Sequence, residues 1–338
     1  MTPGPAPGRA ADRARTIFLG SGSFAVPILD GLARHHRVEL VAAVTAPDRP
    51  AGRRQELRPT PVGQRAAELG LAVLKPARVR APEAIAEIGA LEPGIGVLAD
   101  YGQIIPPALL ALPARGILNV HPSLLPRHRG ATPIQAAIAE GDDRTGVTVI
   151  HMDEGIDTGP IVTTVGWNLT GSERAPDLEA FAAEEASELL ERRLGPFLDG
   201  MIAARPQPDA GASVTRTLRR EDGRLDPARP AAELERHVRA YLPWPGSFID
   251  TTAGRLVVTA ARVAPSLPGD EPGRLVRHDD RPALATADGR LVLDELQLAG
   301  RRSMAGPDAL RGHPELASAI VEPPAAEPPA AEPAASRG

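Results

Sequence analysis

Apolar residues in the first two hundred positions fall into short unbroken runs. These are Thr16 to Leu19, Val38 to Val44, Ala72 to Leu74, Ile95 to Ala99, Gly116 to His121, Gly146 to Met152 and Ile161 to Val165. Runs of that length read as strands buried on both faces. Between them, helical spacing predicts helices reaching Leu32 and over Val62 to Leu69, Pro82 to Leu91, Pro107 to Leu112, Pro133 to Glu140 and Pro176 to Leu194. Alternating strands and helices predict an α/β fold with a doubly wound, mostly parallel, Rossmann-like sheet.

Beyond residue 204 the pattern changes. Residues 205–215, rich in Pro, Gly and Ala, have linker composition. One predicted helix, Pro230 to Tyr241, precedes short runs at Ser247 to Asp250, Arg255 to Val263, Gly273 to Val276, Ala283 to Thr286 and Arg290 to Leu298. Five closely spaced strands with one helix suit a small OB-like β-barrel. The expected organisation is a disordered lead over 1–14, a catalytic domain over 15–204, a linker over 205–217, the barrel over 218–318 and a disordered acidic Pro/Ala tail over 319–338.

The sharpest chemistry lies at Gly116 to His121. Asn119 and His121 stand two positions apart, so on a strand both point to one face. Pro122 ends the ladder because it has no N–H to donate. Ligands of open α/β sheets bind at the carboxyl ends of their strands. Asp157 follows 36 positions after His121, in the loop after the next run. An amide N–H and an imidazolium N–H aimed at one point would stabilise an oxyanion, and a carboxylate beside them would orient the histidine and help move a proton. No Ser or Cys occupies a nucleophile elbow, so direct acyl transfer to an incoming amine fits better than an acyl-enzyme. The same Asn-x-His pattern also occurs for purely structural reasons.

Composition removes several alternatives. The 338 residues are 42% hydrophobic and 24% charged, with 3% aromatic and no cysteine. Disulfides, thiolate metal sites and a cysteine nucleophile are excluded. Metal binding lacks a third ligand beside His121 and Asp157, unless His128 or His151 supplies it, and none is expected. His35, His36, His237, His278 and His313 read as surface residues. The start of the chain lacks an apolar signal core, and no run reaches about 18 apolar residues, so neither secretion nor a membrane span is expected. A cytoplasmic monomer is the expectation. Net charge is −5 and Lys75 is the only lysine. That balance disfavours a globally basic surface but allows a local one.

Two motifs flank the centre. Gly20-Ser21-Gly22-Ser23-Phe24-Ala25 matches a loose dinucleotide fingerprint, although any tight strand-to-helix turn needs similar residues. Ala46 to Arg54 carries two prolines and a glycine and reads as a loop. Its Arg49, Arg53 and Arg54 are either a solvated surface or a phosphate-contacting set beside the active edge.

The chain resembles the methionyl-tRNA formyltransferases, within the 10-formyltetrahydrofolate-dependent formyltransferases. The resemblance rests on Thr45 to Arg53, Asn119 to Gln135, Gly146 to Thr148, Met152 to Gly159 and Arg239 to Gly246, and spans about residues 15–317. It implies transfer of a formyl group from 10-formyltetrahydrofolate to the amino group of initiator methionyl-tRNA. It implies Asn119 and His121 as oxyanion partners and Asp157 as proton manager. It implies that Ser123, Leu124, Leu125 and Pro126 line the folate site, and that Arg49, Arg53 and Arg54 meet the acceptor stem. Pro122, His128, Thr217 and Pro227 depart from the residues common in that family.

Overall fold

The computed structural model describes residues 13–51 and 55–323. The chain divides into two compact units between Thr217 and Leu218. The first unit is built on a seven-stranded sheet. Across it run Ile161–Asn168, Arg144–His151, Ile117–His121, Ile95–Ala99, Ala14–Gly20, Val38–Val44 and Val73–Leu74. The last five are parallel to one another, Arg144–His151 runs antiparallel beside them, and Ile161–Asn168 pairs antiparallel with it at the edge.

The apolar runs are continuous because both sheet faces are covered. Phe18, Val97, Leu118 and Val120 pack on one face beneath the helices Ala25–Arg34 and Ala175–Leu198. Ile17, Leu19, Leu98 and Ile117, of the opposite parity, pack on the other with Ile88 and Leu109. In Ala25–Arg34 the buried residues are Ala25, Ile28, Leu29 and Leu32, a stripe at helical spacing. Burying four such side chains contributes several kcal/mol, at roughly 25 cal/mol per Å² of apolar surface. The helix Pro61–Glu68 starts at Thr60, whose hydroxyl accepts from Gly63 N at 2.9 Å, with proline in its first turn.

The sheet begins at Ala14, and Arg13 Nε donates to Val38 O at 2.7 Å, so the expected lead is too long. The rest of it, residues 1–12, lies outside the described residues. The arginine segment expected to be a loop contains a small hairpin, Arg49–Ala51 against Glu56–Arg58. Arg53 and Arg54 lie outside the described residues. Residues 205–217 are not a free linker. Arg205 and Ile161 exchange backbone hydrogen bonds of 2.7 and 2.8 Å, and Val214–Thr215 pairs in parallel with Arg129–Gly130.

The second unit is an antiparallel sheet in the order Ser247–Thr251, Gly254–Ala264, Arg290–Leu298, Arg281–Ala285, Leu275–His278, with Met304–Ala305 added on Arg290–Leu298. The two outer strands meet a common segment. Val321 bridges Thr251 and Ile320 bridges Arg274, which closes the sheet into a barrel. Residues 319–323 therefore belong to the barrel, not to a tail, and 324–338 lie outside the described residues. The helix Ala231–Ala240 buries Leu234 and Val238 in this core. His237 is buried there too, contrary to the surface expectation. Its Nε2 lies 2.8 Å from Asp222 O and its Nδ1 3.0 Å from Ser247 Oγ. His35 is likewise buried. No helix among the described residues is long and apolar enough to cross a membrane.

Candidate active site

The strand Ile117–His121 has neighbours on both sides. Asn119 is opposite Leu98 on one and Ile150 on the other, and His121 is opposite Thr148. All five of its residues are buried. A two-residue period puts Asn119 and His121 on one face, at the strand's carboxyl end.

Asp157 reaches this face from the loop after Arg144–His151. Its Oδ1 accepts from Asn119 Nδ2 at 2.8 Å, and its Oδ2 accepts from the backbone N–H of Gly130 at 2.8 Å. Its φ is +52°, a left-handed conformation that a non-glycine residue holds only where its surroundings fix it. Gly130 has φ +97°, and a Cβ there would lie 2.2 Å from Thr215 O, so only glycine fits.

His121 Nδ1 stands 3.6 Å from Asp157 Oδ2, and Nε2 lies 2.8 Å from His128 O. A carbonyl only accepts, so Nε2 carries the proton and Nδ1 of the neutral ring faces the carboxylate. Burial pulls the His121 pKa below that of a free imidazole, although Asp157 and the His128 carbonyl oppose it. The ring is neutral at pH 7. The expected imidazolium N–H is thus present only after Nδ1 gains a proton.

These groups border a cavity of about 370 Å³, with Phe24, Leu98, Tyr101 and Pro122 among its apolar walls. Asp100 and Glu179 also reach it. Asp100 is open to the cavity yet surrounded by protein, and that burial, with Glu179 nearby, pushes its carboxyl up. A second cavity of about 400 Å³ lies across Asp100, Tyr101 and Gly102, which line both. Arg49, Ser21 and Thr60 line its far side.

The glycine turn is explained by packing. The N–H groups of Ser21 and Gly22 donate to Asp100 O at 2.9 and 3.3 Å. A Cβ on Gly22 would stand 1.6 Å from Asp100 Oδ2. The amides that a phosphate would need are therefore engaged.

Ser123 to Pro126 do not border the first cavity. Ser123 Oγ donates to Arg127 O at 2.7 Å and Leu125 N to Thr148 Oγ1 at 3.1 Å, while Leu125 is packed in the interior. Thr148 Oγ1 donates to Ser123 O at 2.7 Å, so the loop is tied both to itself and to the strand Arg144–His151. Sequence reasoning missed Leu98, Asp100, Tyr101 and Glu179, because nothing in an apolar strand or a long helix marks them as cavity lining.

Neither spare histidine joins His121 and Asp157. His151 Nε2 lies 3.2 Å from Arg115 O, and His128 Nε2 lies 2.8 Å from Asp142 Oδ2. His128, Glu140 and Asp142 form the one metal-like cluster among the described residues. Arg127 already occupies it, through Glu140 at 2.8 Å and Asp142.

Comparison with known proteins gives the family of the chain. The formyl transferase family matches residues 14–194, and the formyl transferase C-terminal domain matches residues 217–314. A methionyl-tRNA formyltransferase of Roseiflexus sp. (strain RS-1) is 42% identical over 299 residues, covering 88% of this chain and 92% of the relative. The enzyme of that name from Myxococcus xanthus (strain DK1622) is 40% identical, covering 89% and 96%. The N-formyltransferase of Helicobacter canadensis, solved with folinic acid and dTDP-3-aminofucose, superposes with a TM-score of 0.61 at 15% identity, over 83% of this chain and 98% of that one. That likeness shows a shared fold.

Proposed function

We infer the activity of this chain from a plain premise: it belongs to the formyl transferase family, and it is a formyltransferase. Its donor is 10-formyltetrahydrofolate and its acceptor the amino group of methionyl-tRNA, of the initiator type. The observation that carries this reading is similarity over nearly the whole chain, both units included, to relatives named for that acceptor. A substrate of translation initiation implies work in the cytoplasm.

The donor fits the first cavity chemically. Phe24, Leu98 and Tyr101 offer apolar walls to a flat ring, and Asn119 and Asp157 offer polar groups to a formamide. Ser123, Leu124, Leu125 and Pro126, which follow Pro122 of the cavity wall, are the further folate contacts of this reading. Arg49, with Arg53 and Arg54, supplies cations for the acceptor-stem phosphates.

The hydrogen bonds of the site support the following course. The amine attacks the formyl carbon, forming a C–N bond and placing negative charge on the formyl oxygen. An amide has two N–H groups. Asn119 gives one to Asp157 and keeps one for that oxygen. The attacking nitrogen must lose a proton, which the Asp157–His121 pair takes up. Protonated at Nδ1, which faces Asp157, His121 then sets a positive charge beside the oxyanion. The same proton goes to N10 of the folate as the C–N10 bond breaks, leaving tetrahydrofolate and the formylated amine. No proton is gained or lost overall.

The experiment that tests this reading offers one donor to several acceptors. Purified protein and 10-formyltetrahydrofolate are incubated with methionyl-tRNA, with methionine, and with an amino-sugar nucleotide. Formylation of methionyl-tRNA above the others supports the reading. Preference for a small amine contradicts it.

A further inference from the structure

The segment 205–217, which runs on into the second unit, lies against the loops that carry the site. Gln207 is the point where they join. Its Nε2 donates to Asp157 O at 2.7 Å and to Gly159 O at 2.8 Å. Its Oε1 accepts from Arg129 Nε at 3.1 Å and Nη2 at 2.8 Å. Only one orientation of the amide satisfies this set. Reversed, its oxygen would face two carbonyl oxygens and its NH2 a guanidinium.

The same strap grips the other side of Asp157. Ser213 O accepts from Arg129 N and Ser213 Oγ from His128 N, both at 2.9 Å. Thr215 Oγ1 donates to Arg129 O and accepts from Thr132 N, both at 3.0 Å. These bonds fix residues 128–132, which present His128 O to His121 and Gly130 N to Asp157 Oδ2. Asp157 itself holds a left-handed φ of +52° and needs an outside constraint to stay there. Gln207 supplies one, because it holds the Asp157 carbonyl and, through Arg129, the strand whose N–H holds the Asp157 carboxylate.

We propose that Gln207 is a positioning residue for Asp157, acting through its amide on the Asp157 carbonyl and on Arg129. This rests on the formyl-transfer reading for its kinetic consequence, and on the hydrogen bonds alone for its structural one. A misplacement on the order of 1 Å costs about a hundredfold in rate. Gln207 borders neither of the two cavities, so substrate binding is expected to be spared.

The test compares the full-length wild-type protein with Gln207→Ala and Gln207→Glu. The second keeps the shape and an acceptor for Arg129 but turns a carboxylate onto two carbonyl oxygens. Both variants are expected to lose about ten- to a hundredfold in kcat, with KM for donor and methionyl-tRNA within about threefold of wild type. The Gly130 amide proton, read by NMR in the protein alone, is expected to shift upfield as its bond to Asp157 lengthens. That readout needs no substrate. An inactive wild type would therefore count against the function reading, while the Gly130 amide still decides the role of Gln207. A wild-type kcat in either variant, an unmoved Gly130 amide, or a loss carried by KM or by a lowered melting temperature alone overturns the proposal.

Discussion

Asn119 Nδ2 donates to Asp157 Oδ1 at 2.8 Å, joining a central strand to a loop 38 positions away. Hydrogen bonds to charged groups contribute about 1.5–3 kcal/mol. Here the bond also has a chemical consequence. It turns the Asn119 amide so that one N–H is held by the carboxylate, and the amide borders the first cavity. The carboxylate in turn is fixed by Gly130 N, so the three polar groups are placed by backbone as much as by side chains.

His121 is expected to be neutral at pH 7, with its proton on Nε2. Burial lowers its pKa from the ordinary 6.5, and the His128 carbonyl selects the tautomer. Imidazole ¹⁵N shifts, assigned by comparison with His121→Gln, would show this directly. Imidazolium shifts at pH 7 would remove the neutral base from the mechanism.

Arg49 borders the second cavity, which shares Asp100 to Gly102 with the first. Arg49→Ala and Arg53→Ala should each raise KM for methionyl-tRNA with kcat little changed. Each should also reduce the slope of log affinity against log salt by about one, as for one lost phosphate contact. A salt slope equal to wild type would place these arginines off the tRNA.

How much of this was legible can be read from particular residues. Asn119 and His121 were visible because a buried strand has an unbroken apolar run, and a two-residue period assigns faces without further information. Their partners were not. His128 O and Gly130 N are backbone groups in a proline-rich loop, and Gly130 is fixed by a two-residue pairing with Val214–Thr215 that composition disguised as linker. The hairpin at Arg49–Ala51 was hidden for a related reason, since its exposed strand Glu56–Arg58 carries no alternation. His237 read as surface because charged residues surround it in sequence. Asp222 and Ser247, which satisfy its ring, lie 15 and 10 positions away.

His237 makes the stability of the protein depend on pH. Burial lowers its pKa to about 4 in the folded state, against 6.5 in the unfolded chain. Between those values the unfolded chain binds a proton that the folded one does not. The contribution is complete above pH 6.5 and is lost as pH falls toward 4, on the order of 3 kcal/mol in all. Melting temperatures from pH 7.5 to 4.5 should fall more steeply for wild type than for His237→Gln. Parallel curves would show that His237 takes up its proton without cost.

Gly130→Ala places a methyl group 2.2 Å from Thr215 O at a φ of +97°. Crowding of this kind costs typically about 1–3 kcal/mol. The variant should melt lower and also lose turnover, because the N–H that holds Asp157 moves with the strand pair. Full activity with a lowered melting temperature would separate that N–H from catalysis.

The central claim is that Asn119 stabilises the oxyanion of formyl transfer to an aminoacyl-tRNA amine. It is tested most directly by single-turnover formylation of methionyl-tRNA at saturating 10-formyltetrahydrofolate, in wild type and in Asn119→Ala. Wild type is expected to yield formylmethionyl-tRNA, and the variant to react at least about a hundredfold more slowly with donor affinity retained. Equal rates in the two proteins would contradict it.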